Sequence, residues 1–524
     1  MRSPWGDEVV DGHYGGHAGL LFSRRPRTFT DLLTGVERWT DRPFLVQGDH
    51  RITFGAFFAA VGTARERLLD NSIQPGDRVL LLAYNSPDWV LALWAIWAVG
   101  AIPVLGNRWW SQREVDHAIA LIGPRAVITD APDLVGRPAV GVTDIADLRG
   151  CFTDAVGATP DVPGPGDEEQ PAVILFTSGS TGMPKAVELP FRSVVANQQN
   201  VLARSRQLPP LTPGPQSVNL ISTPLFHIGA FATLITQTIT GGRIVFTAGR
   251  FDPAQVLELI EAEQVERWGA VPTMATRLLE HPDFDSRDLS SLRSFPLGGA
   301  PVPPVLLERL ARRLPQLRGR GMVNMWGMTE GGGFFTVATG ADLQRHPKTV
   351  GRALPTVEVR IDAPDGDGRG EILARSPTVM LGYVGAGGDA AGETMDSEGW
   401  LRTGDLGHLD EEGYLFIDGR SKDMVIRAGE NIACPHVEAA LMRHPAVVDA
   451  AALGMPHPDL GEELVAVVVH RAGGPVPTEA ELSAHMAGEV AYFAVPTRWR
   501  IRAQPLPTVG TEKVDKKALA DEFR

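Results

Sequence analysis

Thr177-Ser178-Gly179-Ser180-Thr181-Gly182-Met183-Pro184-Lys185 is the stretch from which the rest of this chain is read. It follows the apolar run Ala172–Phe176, which reads as a buried strand. Small residues let backbone N–H groups approach an anion, the hydroxyls add donors, and Lys185 adds a positive charge. A glycine loop delivered by a buried strand is a common way to hold phosphates. The spacing is not that of a P-loop, which needs Lys directly after the second glycine and Ser or Thr after that Lys. Here Met183 and Pro184 intervene and Ala186 follows, which argues against a P-loop NTPase. A polar surface loop is the plain alternative, and nine such positions in order weigh against it.

Working outward, the 524 residues suggest several folding units and a large core. The 57 glycines and 41 prolines stay below the roughly 25–30% at which low-complexity disorder becomes the better reading. A net charge of −14 has the wrong sign for a general nucleic-acid binder. Two cysteines, Cys151 and Cys434, support neither a disulfide framework nor a cysteine-based zinc site, and a reducing compartment fits them best. No secretory signal is visible, because Asp7, Glu8 and Asp11 break up the first residues. A cytoplasmic location is therefore expected. Trp89–Leu105 is uncharged but short of the roughly 20 residues of a membrane span. Gly100 and Pro103 interrupt it, so it reads as a buried helix, Trp89–Val99, followed by a short strand, Ala101–Leu105.

Strand-like runs at Val79–Ala83 and Ala126–Thr129 alternate with helical patterns at Phe54–Leu69 and Glu114–Leu121. Such alternation predicts an α/β fold in layers. The acidic, proline-rich stretch Ala155–Pro171 reads as a linker. Further alternation follows through Ser217–Ser222, Gly242–Phe246, Pro253–Glu263 and Pro304–Arg313. From about residue 356 the pattern turns strand-rich, with a turn at Asp362–Gly370 and a hairpin over Gly404–Ile417. The last hundred residues or so read as a small α+β unit, with helices near His436–Arg443 and Thr478–Glu489.

More blocks accompany the loop: Pro224-Leu225-Phe226-His227, Gly298-Gly299-Ala300-Pro301, Trp326-Gly327-Met328-Thr329-Glu330 and Gly399 through Asp405. Asp418-Gly419-Arg420-Ser421-Lys422-Asp423, Gly429-Glu430-Asn431 and Leu506-Pro507 through Lys513 complete the set. In order and spacing, from about residue 30 to the C-terminus, they resemble the adenylate-forming superfamily of acyl-CoA synthetases, peptide-synthetase adenylation domains and beetle luciferases, most closely an acyl-CoA synthetase. The resemblance implies a large N-terminal domain over residues 1–420 and a small mobile C-terminal domain over 421–524. It also implies ATP, Mg²⁺ and CoA as partners, and a reaction in which a carboxylate becomes an acyl-adenylate and then a thioester.

By the same resemblance, Thr177, Ser178, Gly179, Ser180, Thr181, Gly182 and Lys185 would hold the β- and γ-phosphates. Thr329 would donate to the α-phosphate, Glu330 would hold Mg²⁺, and Gly299, Ala300 and Pro301 would line the adenine slot, with Gly327 and Met328 beside it. Trp326, where the family usually has Tyr, would stack on the base. Asp405 would accept from the ribose hydroxyls and Arg420 would add a ribose or phosphate contact. His227 would hydrogen-bond near the substrate carboxylate. Lys513 would be the catalytic cation, offsetting the repulsion of carboxylate and α-phosphate. Lys422 would be the hinge, and Gly429, with Ala428 in place of a frequent second glycine, would border the pantetheine path.

Amino-acid-activating relatives carry an acid near the His227 block, whereas Phe226-His227-Ile228-Gly229-Ala230-Phe231 has none. The expected substrate is therefore a carboxylic acid without an α-amino group. Phe231, where long-chain enzymes often have a gating Trp, and Gly331, Gly332 and Gly333 suggest room for a bulky or elongated acid. Glu512 replaces the usual Gly before the lysine, and a Glu512–Lys513 pair would hold that lysine away from the site. Alternatives stay open: a separate carrier protein as acceptor, or a catalytically weakened nucleotide-binding relative. A luciferase-like oxygenase has no positive feature in its favour.

Overall fold

The computed structural model describes residues 4–136, 141–154, 167–178, 183–209, 214–319, 321–385, 394–420, 423–428 and 430–524. The helix expected over Trp89–Val99 forms as Pro87–Val99, and all thirteen of its residues are buried. Ser86 caps its start by accepting from the Trp89 N–H, Pro87 occupies the first turn, and Gly100 ends it in the left-handed region at φ 84°. A helix apolar on every side needs partners all round. Its partners include the helices Phe54–Asp70 and Ile228–Thr240, in one core with the flanking sheets. Burying Leu91, Leu93 and Ile96 contributes about 1.5–3 kcal/mol for each side chain. The Trp97 indole N–H donates to the Ala172 carbonyl at 2.7 Å, which ties this helix to the strand Pro171–Ser178. Among the described residues no helix is long and apolar enough to cross a membrane.

A seven-stranded sheet runs in the order Gly382–Tyr383, Pro184–Pro190, Pro171–Ser178, Ile102–Leu105, Arg78–Leu82, Ala126–Thr129 and Gly141–Asp144. Its middle strands are parallel, as strand–helix alternation demands, but Pro184–Pro190 returns antiparallel to Pro171–Ser178. That register sets Thr177 opposite Lys185 and Ser178 opposite Pro184. The central loop positions, Gly179, Ser180, Thr181 and Gly182, lie outside the described residues, as do residues 155–166 of the expected linker.

A five-stranded sheet lies beside the first, built on Val218–Ile221 and Arg243–Phe246 in parallel. Two four-stranded sheets follow. One holds Phe295–Gly298, Met322–Met328, Gly333–Thr339 and Arg352–Ala353; the other holds Glu358–Asp362, Gly370–Arg375, Leu401–Leu409 and Leu415–Arg420. The expected turn and hairpin are the connections of this last sheet. From Met424 the chain enters a separate five-stranded sheet with its own core around Val437, Leu441, Val468 and Trp499. A smaller C-terminal domain thus follows the large N-terminal one. Its first helix spans Cys434–Leu441, two residues earlier than the periodicity suggests, with Pro435 in its first turn.

Candidate active site

The site forms where several strands end. Phe295–Gly298 and Met322–Met328 are parallel, with Gly298 beside Met325, so their carboxyl ends open on one edge. Crevices outside such ends are where open α/β sheets take ligands. The first strand continues into Gly299, Ala300 and Pro301, with Gly299 at φ 76°. The second carries Trp326, Gly327 and Met328 and turns at Thr329 and Glu330, where the Gly332 N–H donates to the Thr329 carbonyl. A Cβ on Gly327 would stand 1.9 Å from the Gly333 carbonyl oxygen, so the irregular pairing there admits only glycine.

Asp405 is buried opposite Arg420 in the last N-terminal hairpin. Its two oxygens are held separately: Oδ1 accepts from Arg420 Nε at 2.7 Å and Oδ2 from the Trp326 indole N–H at 2.7 Å. The missing tyrosine hydroxyl at position 326 is thus matched by an indole donor that fixes the carboxylate expected to meet ribose. Glu330 is also buried, and its Oε1 accepts from the Tyr383 hydroxyl at 2.8 Å. Burial, reinforced by the Glu330 charge, pushes the Tyr383 phenol up, so it remains a donor. Lys185, exposed, places its Nζ 5.1 Å from the Tyr383 ring centroid. Nothing in the local sequence marks Tyr383, an aromatic on the two-residue strand Gly382–Tyr383.

The C-terminal domain completes the constellation. Leu506 to Val514 folds as a small hairpin closed by the Thr508–Val514 bridge. Lys513 follows its turn and reaches into the N-terminal site, with Cε 3.6 Å from where a Cβ on Gly299 would stand. Burial and the facing Arg420 lower the Lys513 pKa to about 8, against the opposing pull of Asp405 and Glu330. His227, at the start of the helix Ile228–Thr240, has its pKa lowered to about 3 by burial and by Lys513. A neutral imidazole beside a cation suits hydrogen bonding, not proton transfer at physiological pH.

Three expectations change. Glu512 does not pair with Lys513; it reaches Arg277 of the N-terminal domain at 2.6 Å, which leaves the lysine free to face the site. Phe231 is 1% exposed and packs against Trp97 with ring centroids 6.0 Å apart, so it fills the core and does not gate an acyl channel. The glycines after Glu330 do not leave room. A Cβ on Gly331 would meet the Phe335 ring, on Gly332 Ser193 and the Thr378 carbonyl, and on Gly333 Asn197. These positions are small because buried neighbours already occupy the space. Ala428 stands in the left-handed region at φ 52°, which explains why a glycine suits that position. Lys422 and Gly429 lie outside the described residues. Arg277, 235 residues from Glu512, carries no local signal of its role.

Comparison with known proteins identifies the family. The family model described as AMP-binding enzyme matches residues 33–384, and that of the AMP-binding enzyme C-terminal domain matches 436–513. Feruloyl-CoA synthase of an Amycolatopsis species is 32% identical over 482 residues, covering 91% of this chain and 95% of that protein. The 2-succinylbenzoate–CoA ligase of Bacillus licheniformis is 33% identical over 477 residues, covering 88% and 93%. Among solved structures, o-succinylbenzoate CoA synthetase of Bacillus subtilis in complex with ATP and magnesium ion aligns with a TM-score of 0.78 at 28% identity. That alignment covers 92% of this chain and 98% of the other.

Proposed function

The chain belongs to the AMP-binding enzyme family, and on that premise we propose that it is an AMP-forming acid–thiol ligase. It joins a carboxylic acid lacking an α-amino group to ATP, then passes the acyl group to CoA. In the first step a carboxylate oxygen attacks the α-phosphorus, the bond to the bridging oxygen breaks, and pyrophosphate leaves. In the second, the CoA sulfur attacks the acyl carbon, AMP departs, and the thiol proton passes to solvent. The observation that carries this reading is the entry of Lys513, from the smaller domain, into the cluster of Asp405, Arg420, Glu330 and His227.

Each residue then has a task. Lys513 bridges the two anions that must meet, Thr329 donates to the α-phosphate, and His227 orients the carboxylate. Asp405, steadied by Trp326 and Arg420, accepts from the ribose. Thr177 and Lys185, facing each other across the paired strands, begin and end the phosphate loop. Among the described residues no cluster of three or more metal-ligating side chains exists. Glu330, a buried carboxylate with Oε1 held by the Tyr383 hydroxyl, is the kind of single oxygen donor that suits Mg²⁺, which takes few protein ligands and completes its shell with substrate phosphates and water. When bound, that ion would neutralise phosphate charge. The large domain ends at about residue 420, and the smaller one turns between the two steps.

Pyrophosphate release with a panel of acids, with and without CoA, tests the reading, and product masses identify the thioester. No release with any acid would refute it. Two finer outcomes are expected. Glu330→Gln will raise the Mg²⁺ concentration needed for half-maximal adenylation by roughly tenfold or more, the scale of a lost charged ligand; an unchanged Mg²⁺ titration removes the metal role. The pH profile of kcat/KM for ATP, which reports the free enzyme, will fall as pH rises through about 8, where Lys513 loses its charge, and not near the usual 10.5. Lys513→Arg keeps a cation at all working pH values, so its residual activity should lack that limb.

A further inference from the structure

The turn carrying Lys513 has a feature that its own backbone does not explain. The Glu512 N–H donates to the Val509 carbonyl and the Val509 N–H to the Lys513 carbonyl, at 2.8 and 2.9 Å, around Gly510 and Thr511. Glu512 closes this turn at φ 58°. A short hairpin loop of this kind favours glycine in its left-handed closing position. Glutamate is strained there. Its carboxylate takes one hydrogen bond inside the hairpin and one shorter, charged bond across the domain boundary. Oε2 accepts from Arg277 Nη1 at 2.6 Å and from Thr508 Oγ1 at 3.1 Å, while Arg277 Nη2 donates to the Leu506 carbonyl at 3.3 Å.

One guanidinium therefore holds the hairpin by both limbs, at Leu506 before the turn and at Glu512 after it. The pair is sheltered, with side-chain exposures of 25% for Arg277 and 15% for Glu512, so solvent screening is reduced. Arg277 is itself fixed on the helix Pro272–Leu279, whose cap residue Val271 lies against Gly299 of the nucleotide loop. The clasp is thus anchored to the wall that Lys513 approaches.

We propose that Glu512 is a positioning residue: clasped by Arg277, it holds the lysine hairpin in the posture that presents Lys513 for adenylation, and the clasp opens before the thioester step. This rests on the two-step reading above. A glycine would relax the turn but would leave the lysine's approach unfixed.

The test is a double-mutant cycle of Glu512→Gly and Arg277→Gln, with each half-reaction measured separately. Glu512→Gly places the residue best suited to that turn, so the hairpin itself folds. It should lower the adenylation kcat by about tenfold or more, the scale of losing a sheltered charged hydrogen bond, with little change in KM for ATP. Thioester formation from supplied acyl-adenylate should be unchanged or faster. The double variant should be no worse than the more affected single variant, because both remove one interaction. Adenylation at the wild-type rate in Glu512→Gly, additive losses, or equal slowing of both half-reactions would each overturn the proposal. Lys513→Ala, run alongside, separates two failures. If it cripples adenylation while Glu512→Gly does not, the clasp alone is wrong; if it too is harmless, the role given to Lys513 fails first.

Discussion

Lys513→Ala will reduce acyl-adenylate formation by on the order of 10²–10³, the cost typical of deleting one preorganised electrostatic donor in a sheltered site. Carboxylate and α-phosphate both carry negative charge, and their approach is opposed until a cation stands between them. In the proposed reaction Lys513 is that cation: it is half-buried, faced by Asp405 and Glu330, and beside the neutral His227. Thioester formation from a supplied acyl-adenylate should be largely spared, since by then the α-phosphate has already reacted and the lysine has no repulsion left to offset. Pyrophosphate release measures the first step, and thioester yield from synthetic acyl-adenylate measures the second. Equal slowing of both in a folded protein would refute domain alternation.

The elements that the sequence revealed best are those with strong local causes. Pro87–Val99 is legible because twelve apolar positions, broken only by Asp88 in the first turn, stand between a serine cap and a left-handed glycine. The hairpin strands Leu401–Leu409 and Leu415–Arg420 are legible because turn residues separate them. Asp405, Glu330 and Lys513 each stand in an ordered motif, and the structure brings all three to one place. What stayed hidden depends on approaches between distant segments. Tyr383 reaches Glu330 across 53 residues and Arg277 reaches Glu512 across 235, and neither distance has a periodicity to betray it. The glycines at 331–333 misled for a related reason. A glycine in sequence means either open space or a neighbour pressed close, and only Phe335, Ser193 and Asn197 show that it is the second.

Gly510→Val will lower adenylation by about 10²-fold, the penalty for displacing a catalytic group by roughly an ångström. Gly510 sits at the tip of the lysine hairpin, where a Cβ would stand 2.5 Å from a ring carbon of Trp109 and 3.3 Å from the Asn107 side-chain oxygen. Its φ is not positive, so the obstacle is steric contact across the domain boundary and not backbone strain. Trp109 cannot readily retreat, because its ring is packed edgewise on Phe226 at 5.4 Å and on Tyr84 at 5.8 Å. The hairpin must therefore back away, and Lys513 moves with it. The C-terminal core around Val437 and Val468 does not include Gly510, so the domain's melting temperature should stay near the wild-type value. Thioester yield from supplied acyl-adenylate should also persist. Trp109→Ala opens the space that the added isopropyl group would need, so combining it with Gly510→Val should recover adenylation relative to Gly510→Val alone. A Gly510→Val protein that releases pyrophosphate at the wild-type rate would mean that the docked arrangement of Lys513 is not the one that adenylates.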